Sequence, residues 1–224
     1  MITVHHLENS RSQRILWLLE ELGVDYEIKR YERDKESNLA PEALMKVHPL
    51  GKSPVITNGA ITVAETGAIV EYLMDEYSEG ALWPDDNEAA RRAYTYWLHY
   101  AEGTMMPLLV MSLVFNRIET APMPFFIRPV AKGIVSKVHE GYLGPNLERN
   151  LDFIEAALSQ STWFTGEHMT AADIMMSFPI EAAAVRGDQL AGRPQMQAFL
   201  TRISQLPTYR RALERGGDYA YAAG

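Results

Sequence analysis

The chain contains no cysteine among its 224 residues. A disulfide framework, a thiolate metal site and a cysteine nucleophile are all excluded, so any thiol chemistry needs a thiol brought in by a ligand. Positive charge is in the minority. With 21 Lys and Arg against 29 Asp and Glu, the net charge is −8, which argues against a nucleic-acid surface with its concentrated basic face. Long apolar runs are scarce as well. The most apolar stretch, Met105 to Phe115, is short and interrupted by Pro107 and Ser112, so no membrane span is expected. The opening MITVHHLENSRSQ has no charged region leading into an apolar one. No signal peptide is expected, and the expected location is the cytoplasm, consistent with a reducing compartment. What is present is ordinary globular material, 47% hydrophobic and 22% charged, in a length sufficient for two units with a substantial core.

Hydrophobic periodicity divides the chain in two. Ile2 and Val4 alternate with Thr3 and His5, a short strand. From Ser12 the period changes: Ile15, Leu16, Leu18, Leu19 and Leu22 share a helical face, and Gly23 ends the helix. Tyr26, Ile28 and Arg30 alternate with Glu27, Lys29 and Tyr31, completing a βαβ unit. A weakly periodic helix near residues 41–46 precedes two strands, 54–57 and 60–64, joined through Asn58-Gly59, a strong hairpin signal. Ile69, Val70, Leu73 and Tyr77 then stripe a further helix. The order βαβ, α, ββ, α is that of a thioredoxin-like domain, assigned to residues 1–78. The turn-rich segment 79–87, which holds Trp83, reads as a linker. Residues 88–224 read as all-helical. Two long helices span 88–119 and about 125–158, the first kinked at Gly103 and Pro107 and the second irregular around Pro129, Gly133, Gly141 and Pro145. Thr170 with Asp173 makes a capping-box pattern, Arg193-Pro194 opens another helix, and Pro207 starts a last one ending at Gly216-Gly217.

The most informative stretch is Val47 to Thr66, VHPLGKSPVITNGAITVAET. A loop holding Lys52, Ser53 and Pro54 leads into the hairpin, whose second strand delivers Glu65 and Thr66 to a helix start, where unpaired backbone N–H groups point outward. A backbone edge, a cation and polar groups at a helix terminus together suit a small peptide. Leu50-Gly51-Lys52-Ser53-Pro54-Val55 followed by Glu65-Thr66 closely resembles the glutathione site of the cytosolic glutathione S-transferases. The Thr170–Asp173 box and Leu206-Pro207-Thr208-Tyr209 extend the resemblance over nearly the whole chain. The resemblance implies a cis peptide bond before Pro54. It also implies that Ser53 pairs through its backbone with the cysteinyl part of glutathione, that Glu65 and Thr66 hold the γ-glutamyl end, and that Lys52 binds a charged end of the peptide. Asp173 is expected to serve folding.

Members of that family place a tyrosine, serine or cysteine near the end of the first strand. Here Leu7-Glu8-Asn9-Ser10-Arg11-Ser12-Gln13-Arg14 holds neither Tyr nor Cys, so the chain resembles a serine-type, theta-like, bacterial-style member. Ser10, four residues before Arg14, is the first candidate; Ser12 is the second, with an ordinary helix cap as its alternative role. The chemistry required is modest. A free thiol has a pKa of about 8.5, and lowering it by about two units takes about 2.7 kcal/mol of preferential thiolate stabilisation. A hydrogen bond to a charged acceptor supplies about 1.5–3 kcal/mol and a helix N-terminus about 0.3–1, so neither a general base nor a metal is required.

His5 and His6, adjacent in a strand, point to opposite faces and make a poor metal pair; both are expected to be structural or exposed, and no metal is expected. His48 precedes Pro49 without a defined role, and Arg14 is either a core charge partner or a support for the Ser10 loop. By the resemblance, Tyr96, Met105, Met106, Met111 and Phe115 lie on the helix that lines the second-substrate pocket, although methionines and aromatics at helical spacing also build cores. The expected activity is conjugation of the glutathione thiolate, the co-substrate, to an electrophilic and largely apolar small molecule by a homodimer with no nucleic-acid or membrane partner. A non-catalytic glutathione-binding or interaction module of the same fold, or a glutathione-dependent peroxidase or isomerase, is the alternative.

Overall fold

The computed structural model describes residues 1–37, 39–185 and 189–222. Its first third is a four-stranded sheet in the order β2-β1-β3-β4. Strands β1 (Ile2–Leu7) and β2 (Tyr26–Tyr31) run parallel, with Val4 opposite Ile28. The crossover between them is α1 (Gln13–Leu22), ended by Gly23 at φ 65°, a left-handed position that glycine takes without a Cβ penalty. Strand β3 (Val55–Asn58) lies antiparallel to β1 and pairs with β4 (Ile61–Ala64). Helix α2 (Thr66–Tyr77) closes this unit and buries Ile69, Val70 and Leu73. The segment expected as a weak helix at 41–46 is a 3-10 helix, Glu42–Lys46.

The hairpin register differs from expectation by one residue. Asn58 pairs with Ile61, so the two-residue loop is Gly59-Ala60, and of that pair only Gly59 has positive φ, at 60°. That is the requirement of a II′ loop, which needs left-handed backbone at its first position alone. Asn58 remains in the strand because its amide donates to the hydroxyls of Tyr72 (2.9 Å) and Tyr77 (2.7 Å).

Beyond the connecting segment, α3 (Glu88–Tyr100), a π-helical turn (Ala101–Met105) and α4 (Met106–Thr120) form one continuous helix. Asn87 caps it, its side chain accepting from the N–H of Ala90 at 2.9 Å. The irregularity expected at Gly103 and Pro107 takes the form of the π turn. At 33 residues, with a mean hydropathy of 1.2 in its most apolar window, this helix is long and apolar enough to meet the dimensions of a span. Shortness therefore does not distinguish it from a span, but Tyr94, Trp97, Met105 and Leu109 are buried in the helical core. A second π turn (His139–Leu143) joins α5 (Arg128–Val138) to α6 (Gly144–Leu158), where the glycines and prolines predicted irregularity.

Helix α7 (Ala171–Ala184) is the axis of the second unit and is buried almost throughout. Asp173 fixes its start, accepting from the N–H of Phe164 (2.8 Å) and of Thr170 (2.7 Å), which is the folding role expected of it. Helices α8 (Pro194–Gln205) and α9 (Pro207–Gly216) complete the chain's regular structure. Instead of burying one face, α1 buries Ile15, Leu16, Trp17, Leu18 and Leu19 alike, because α7 and α9 also pack on it. A helix enclosed on all sides carries apolar residues around its circumference. Glu20 of α1 accepts from Arg211 (2.8 Å) and Arg215 (3.0 Å) of α9. These ion pairs tie the C-terminal end of α1 to α9.

Candidate active site

A cavity of about 250 Å³ opens where the Lys52 loop, the start of α2 and the β1–α1 connection converge. Lys52, Ser53, Pro54, Glu65 and Thr66 all line it, so residues 14 positions apart in the chain share one polar wall. The Ser53–Pro54 peptide bond is cis. The Ser53 hydroxyl donates to the carbonyl of His5 at 2.8 Å and accepts from the N–H of Leu7 at 3.2 Å, which pins this loop against β1. Among the described residues neither the N–H nor the C=O of Ser53 has a partner. Both are therefore available as a backbone edge to an incoming peptide. Glu65 sits at φ 71° immediately before α2 and makes no cap with its side chain, so its carboxylate is not committed to the helix it precedes. His48 also lines the cavity.

Two further lining residues, Arg11 and Glu102, were not anticipated. Arg11 lies between the two candidate serines, and Glu102 comes from the π turn on the long helix. Arg11 Nε is 3.0 Å from Glu102 Oε2. Glu102 also pairs with Arg14, whose side chain is only 1% exposed. Arg14 Nη1 further donates to the carbonyl of Met175 at 2.7 Å, and Nη2 reaches Thr66 Oγ1 at 3.5 Å. Burial works against ionisation of Glu102, but Arg14 and Arg11 outweigh it and hold this carboxyl below its usual range. Burial draws the Arg11 guanidinium below its ordinary value, with the Glu102 charge opposing. Of the two roles open to Arg14, the structure supports the charge partner, and the same bonds tie α1 to Thr66 at the cavity wall.

Ser10 and Ser12 form a chain of hydroxyls beside the cavity without lining it. Ser10 Oγ donates to the carbonyl of Leu7 at 2.7 Å and lies 2.8 Å from Ser12 Oγ. Ser12 Oγ lies 2.8 Å from His6 Nδ1. Burial, followed by the charge of Arg30, pushes the His6 pKa down to about 4 against a hydrogen bond to the Gly216 backbone, so the ring is neutral near neutral pH; in the tautomer that donates from Nε2, Nδ1 accepts from Ser12. Ser12 occupies the N-cap position of α1 but makes no side-chain cap, so the cap alternative does not hold. His5 and His6 are both buried and structural, His5 Nδ1 meeting the Tyr31 hydroxyl at 2.9 Å. Among the described residues no cluster of His, Cys, Asp and Glu could hold a metal.

The group expected around the second substrate is not brought together. Met105 and Met106 are buried core residues. Tyr96 stacks on Tyr100 and packs against Phe153, and Met111 and Phe115 pack on the core. A separate cavity of about 460 Å³ lies beside Asn9, the neighbour of Ser10, and is lined by Leu113 and Arg117 of α4 and by Tyr221. Leu113 and Arg117 are four residues apart and share a helix face; Met111 and Phe115, each two residues off, lie on the other side.

The comparisons agree with this geometry. Residues 1–75 match the family description "Glutathione S-transferase, N-terminal domain" and residues 141–207 match "Glutathione S-transferase, C-terminal domain". The chain is 37% identical to glutathione S-transferase 3 of Schizosaccharomyces pombe, covering 97% of this chain and 89% of that one. It is 32% identical to glutathione S-transferase 1 of Saccharomyces cerevisiae, over 83% and 82%. The crystal structure of a glutathione S-transferase from Actinobacillus pleuropneumoniae superposes with a TM-score of 0.78 at 33% identity, covering 99% of this chain and 95% of that one. This chain, with its thioredoxin-like sheet unit and helical second unit, belongs to the glutathione S-transferase family.

Proposed function

We propose that the protein conjugates the thiolate of glutathione to electrophilic small molecules, with residues 1–78 binding the peptide and 88–224 contributing the electrophile pocket across the linker 79–87. The observation that carries this reading is the unpartnered backbone edge of Ser53, set in one cavity with Lys52, Glu65 and Thr66. In this reading the Ser53 edge pairs with the cysteinyl backbone. The Glu65 carboxylate and Thr66 hydroxyl receive the γ-glutamyl end, and Lys52 receives a carboxylate of the peptide. The single proton on each hydroxyl supports Ser10 over Ser12 in this reading. Ser12 is fully buried and spends its proton on His6, whereas Ser10 can turn its proton from the Leu7 carbonyl to a sulfur. Ser10 is therefore assigned as the thiolate stabiliser of a serine-type enzyme.

In the reaction the thiol proton leaves to solvent and the sulfur lone pair forms a bond to the electrophilic carbon. On an aryl halide the carbon–halogen bond then breaks and halide departs with its electron pair. The cavity beside Asn9 adjoins the Ser10 loop and offers the electrophile a place. Homodimerisation and a cytoplasmic location belong to the same reading, supported by the family membership and by the absence of cysteine. The test is turnover of an aryl-halide panel with saturation in glutathione, paired with calorimetric binding of glutathione. Glu65→Ala is expected to weaken that binding more than tenfold. Background rates across the panel with glutathione binding intact would replace this reading with a non-catalytic glutathione-binding module.

A further inference from the structure

The cavity beside Asn9 is more cationic than an apolar electrophile requires. Leu39, Leu113 and Tyr221 line it together with the charged residues Arg33, Arg117 and Glu8. The single acid is engaged: Glu8 Oε1 accepts from the backbone N–H of Arg33 at 2.7 Å. That bond fixes the strand-end carrying Arg33 against the β1–α1 connection, beside the Ser10 loop. The Arg117 guanidinium has no hydrogen-bond or ion-pair partner among the described residues. The surrounding sequence has the same bias: residues 103–139 hold Arg117, Arg128, Lys132 and Lys137 but only Glu119 as an acid. The chain as a whole carries −8, so a dissolved anion is repelled at long range and needs a local cation to bind. At about 460 Å³ the volume falls in the range of small-molecule sites, where an apolar body is held by a few placed polar groups.

We propose that the electrophile held here carries a carboxylate on its apolar body, and that Arg117 is the residue that selects it, with Arg33 as the second cation of the wall. The guanidinium plane offers a two-pronged match to a carboxylate that a lysine or a neutral donor does not reproduce. This proposal rests on the conjugation reading above. It places the carboxylate toward α4 and leaves the opposite end of the molecule toward Asn9 and the sulfur. The bond changes are those already given: carbon–sulfur forms, carbon–halogen breaks, and the carboxylate is untouched.

The experiment compares 4-chloro-3,5-dinitrobenzoate with its methyl ester as substrates of the full chain, each rate divided by its uncatalysed reaction with glutathione. The acid is expected to show a KM about tenfold below that of the ester, the size of one partly exposed charge-assisted hydrogen bond. Arg117→Gln is expected to bring the ratio of the two KM values to about one. Arg117→Lys should restore part of the preference, and added salt should erode it in the parent enzyme. A role confined to packing would move both substrates together and leave the ratio unchanged. Equal KM values for acid and ester in the parent, or a preference that survives Arg117→Gln, would overturn this proposal while leaving conjugation in place. Failure to turn over either compound would overturn the conjugation reading and this proposal with it.

Discussion

Replacing Ser10 and Ser12 in turn by alanine separates two hydroxyls that lie 2.8 Å apart and do different work. Ser10→Ala removes the proton assigned to the sulfur. A hydrogen bond to a charged acceptor contributes about 1.5–3 kcal/mol, so the bound thiol's pKa should rise by about one to two units. Near neutral pH the thiolate fraction then falls about ten- to hundredfold. Ser10→Ala also takes the 2.7 Å donor from the Leu7 carbonyl, so a stability cost of about 1 kcal/mol should accompany the shift in titration. Ser12→Ala acts differently. It leaves His6 Nδ1 as a buried acceptor without a donor, at a cost of about 1–3 kcal/mol. That exceeds the roughly 1 kcal/mol of a lost helix cap, the role this side chain does not fill. The assay is ultraviolet absorbance of the thiolate in the binary complex with glutathione, titrated against pH, with urea unfolding of the same variants. A titration that shifts only in Ser12→Ala would refute the assignment of the serines. A titration that shifts in neither would transfer thiolate stabilisation to another donor, and Arg11 is the cation nearest in sequence.

Glu102→Ala should destabilise the protein by about 3 kcal/mol in urea unfolding, the low end expected when one partner of a buried ion pair is removed, because Arg14 is enclosed while Glu102 keeps some exposure. Adding Arg14→Met should recover most of the loss, and a single variant within about 1 kcal/mol of the parent, as for an exposed pair, would sink the argument. Glu181, buried in α7, accepts from the hydroxyls of Tyr209 and Tyr219, and burial raises its pKa to about 7. Its unfolded form ionises near 4.5, so between pH 4.5 and 7 the folded state keeps a proton the unfolded state has lost, and stability falls as pH rises. Glu181→Gln should therefore gain about 3 kcal/mol relative to the parent across that window, and a difference independent of pH would refute it.

The alternation of Ile2–His5 and Tyr26–Tyr31, the helical face from Ile15 and the Lys52–Thr66 motif are short-range patterns, and each identifies its own element. The fold order and one wall of the cavity were legible for that reason. What stayed hidden depends on residues far apart. Arg11 meets Glu102 across 91 positions at a π turn of the long helix, and no local pattern announces a π turn. The enclosure of α1 on all sides has one sequence signal, Trp17, which lies off the face that the leucines define. Tyr96, Met105, Met106, Met111 and Phe115 were grouped by chemistry without regard to angular spacing: Met105 and Met106 are buried, while Leu113 and Arg117, which line the cavity beside Asn9, lie on the side of the helix away from Met111 and Phe115. The one-residue shift of the hairpin follows from the two tyrosines on α2 that bind Asn58, a contact between elements.

The Arg14 cluster bears on how such chains can be recombined. Its guanidinium is supplied by the first third of the chain, and its partners come from Thr66, from Glu102 and from the backbone at Met175. Glu20 meets Arg211 and Arg215 in the same way. A chimaera that exchanges the helical half for that of a relative inherits the acceptors of one parent and the cations of the other. Position 102 must then offer a carboxylate, and α7 must bring a carbonyl to the same point. Where the donor half lacks them, the crossover leaves a bare cation beneath the cavity wall at Thr66. The tolerated crossover points are accordingly set by these few matched positions, and sequence identity within either half is a poor guide to them.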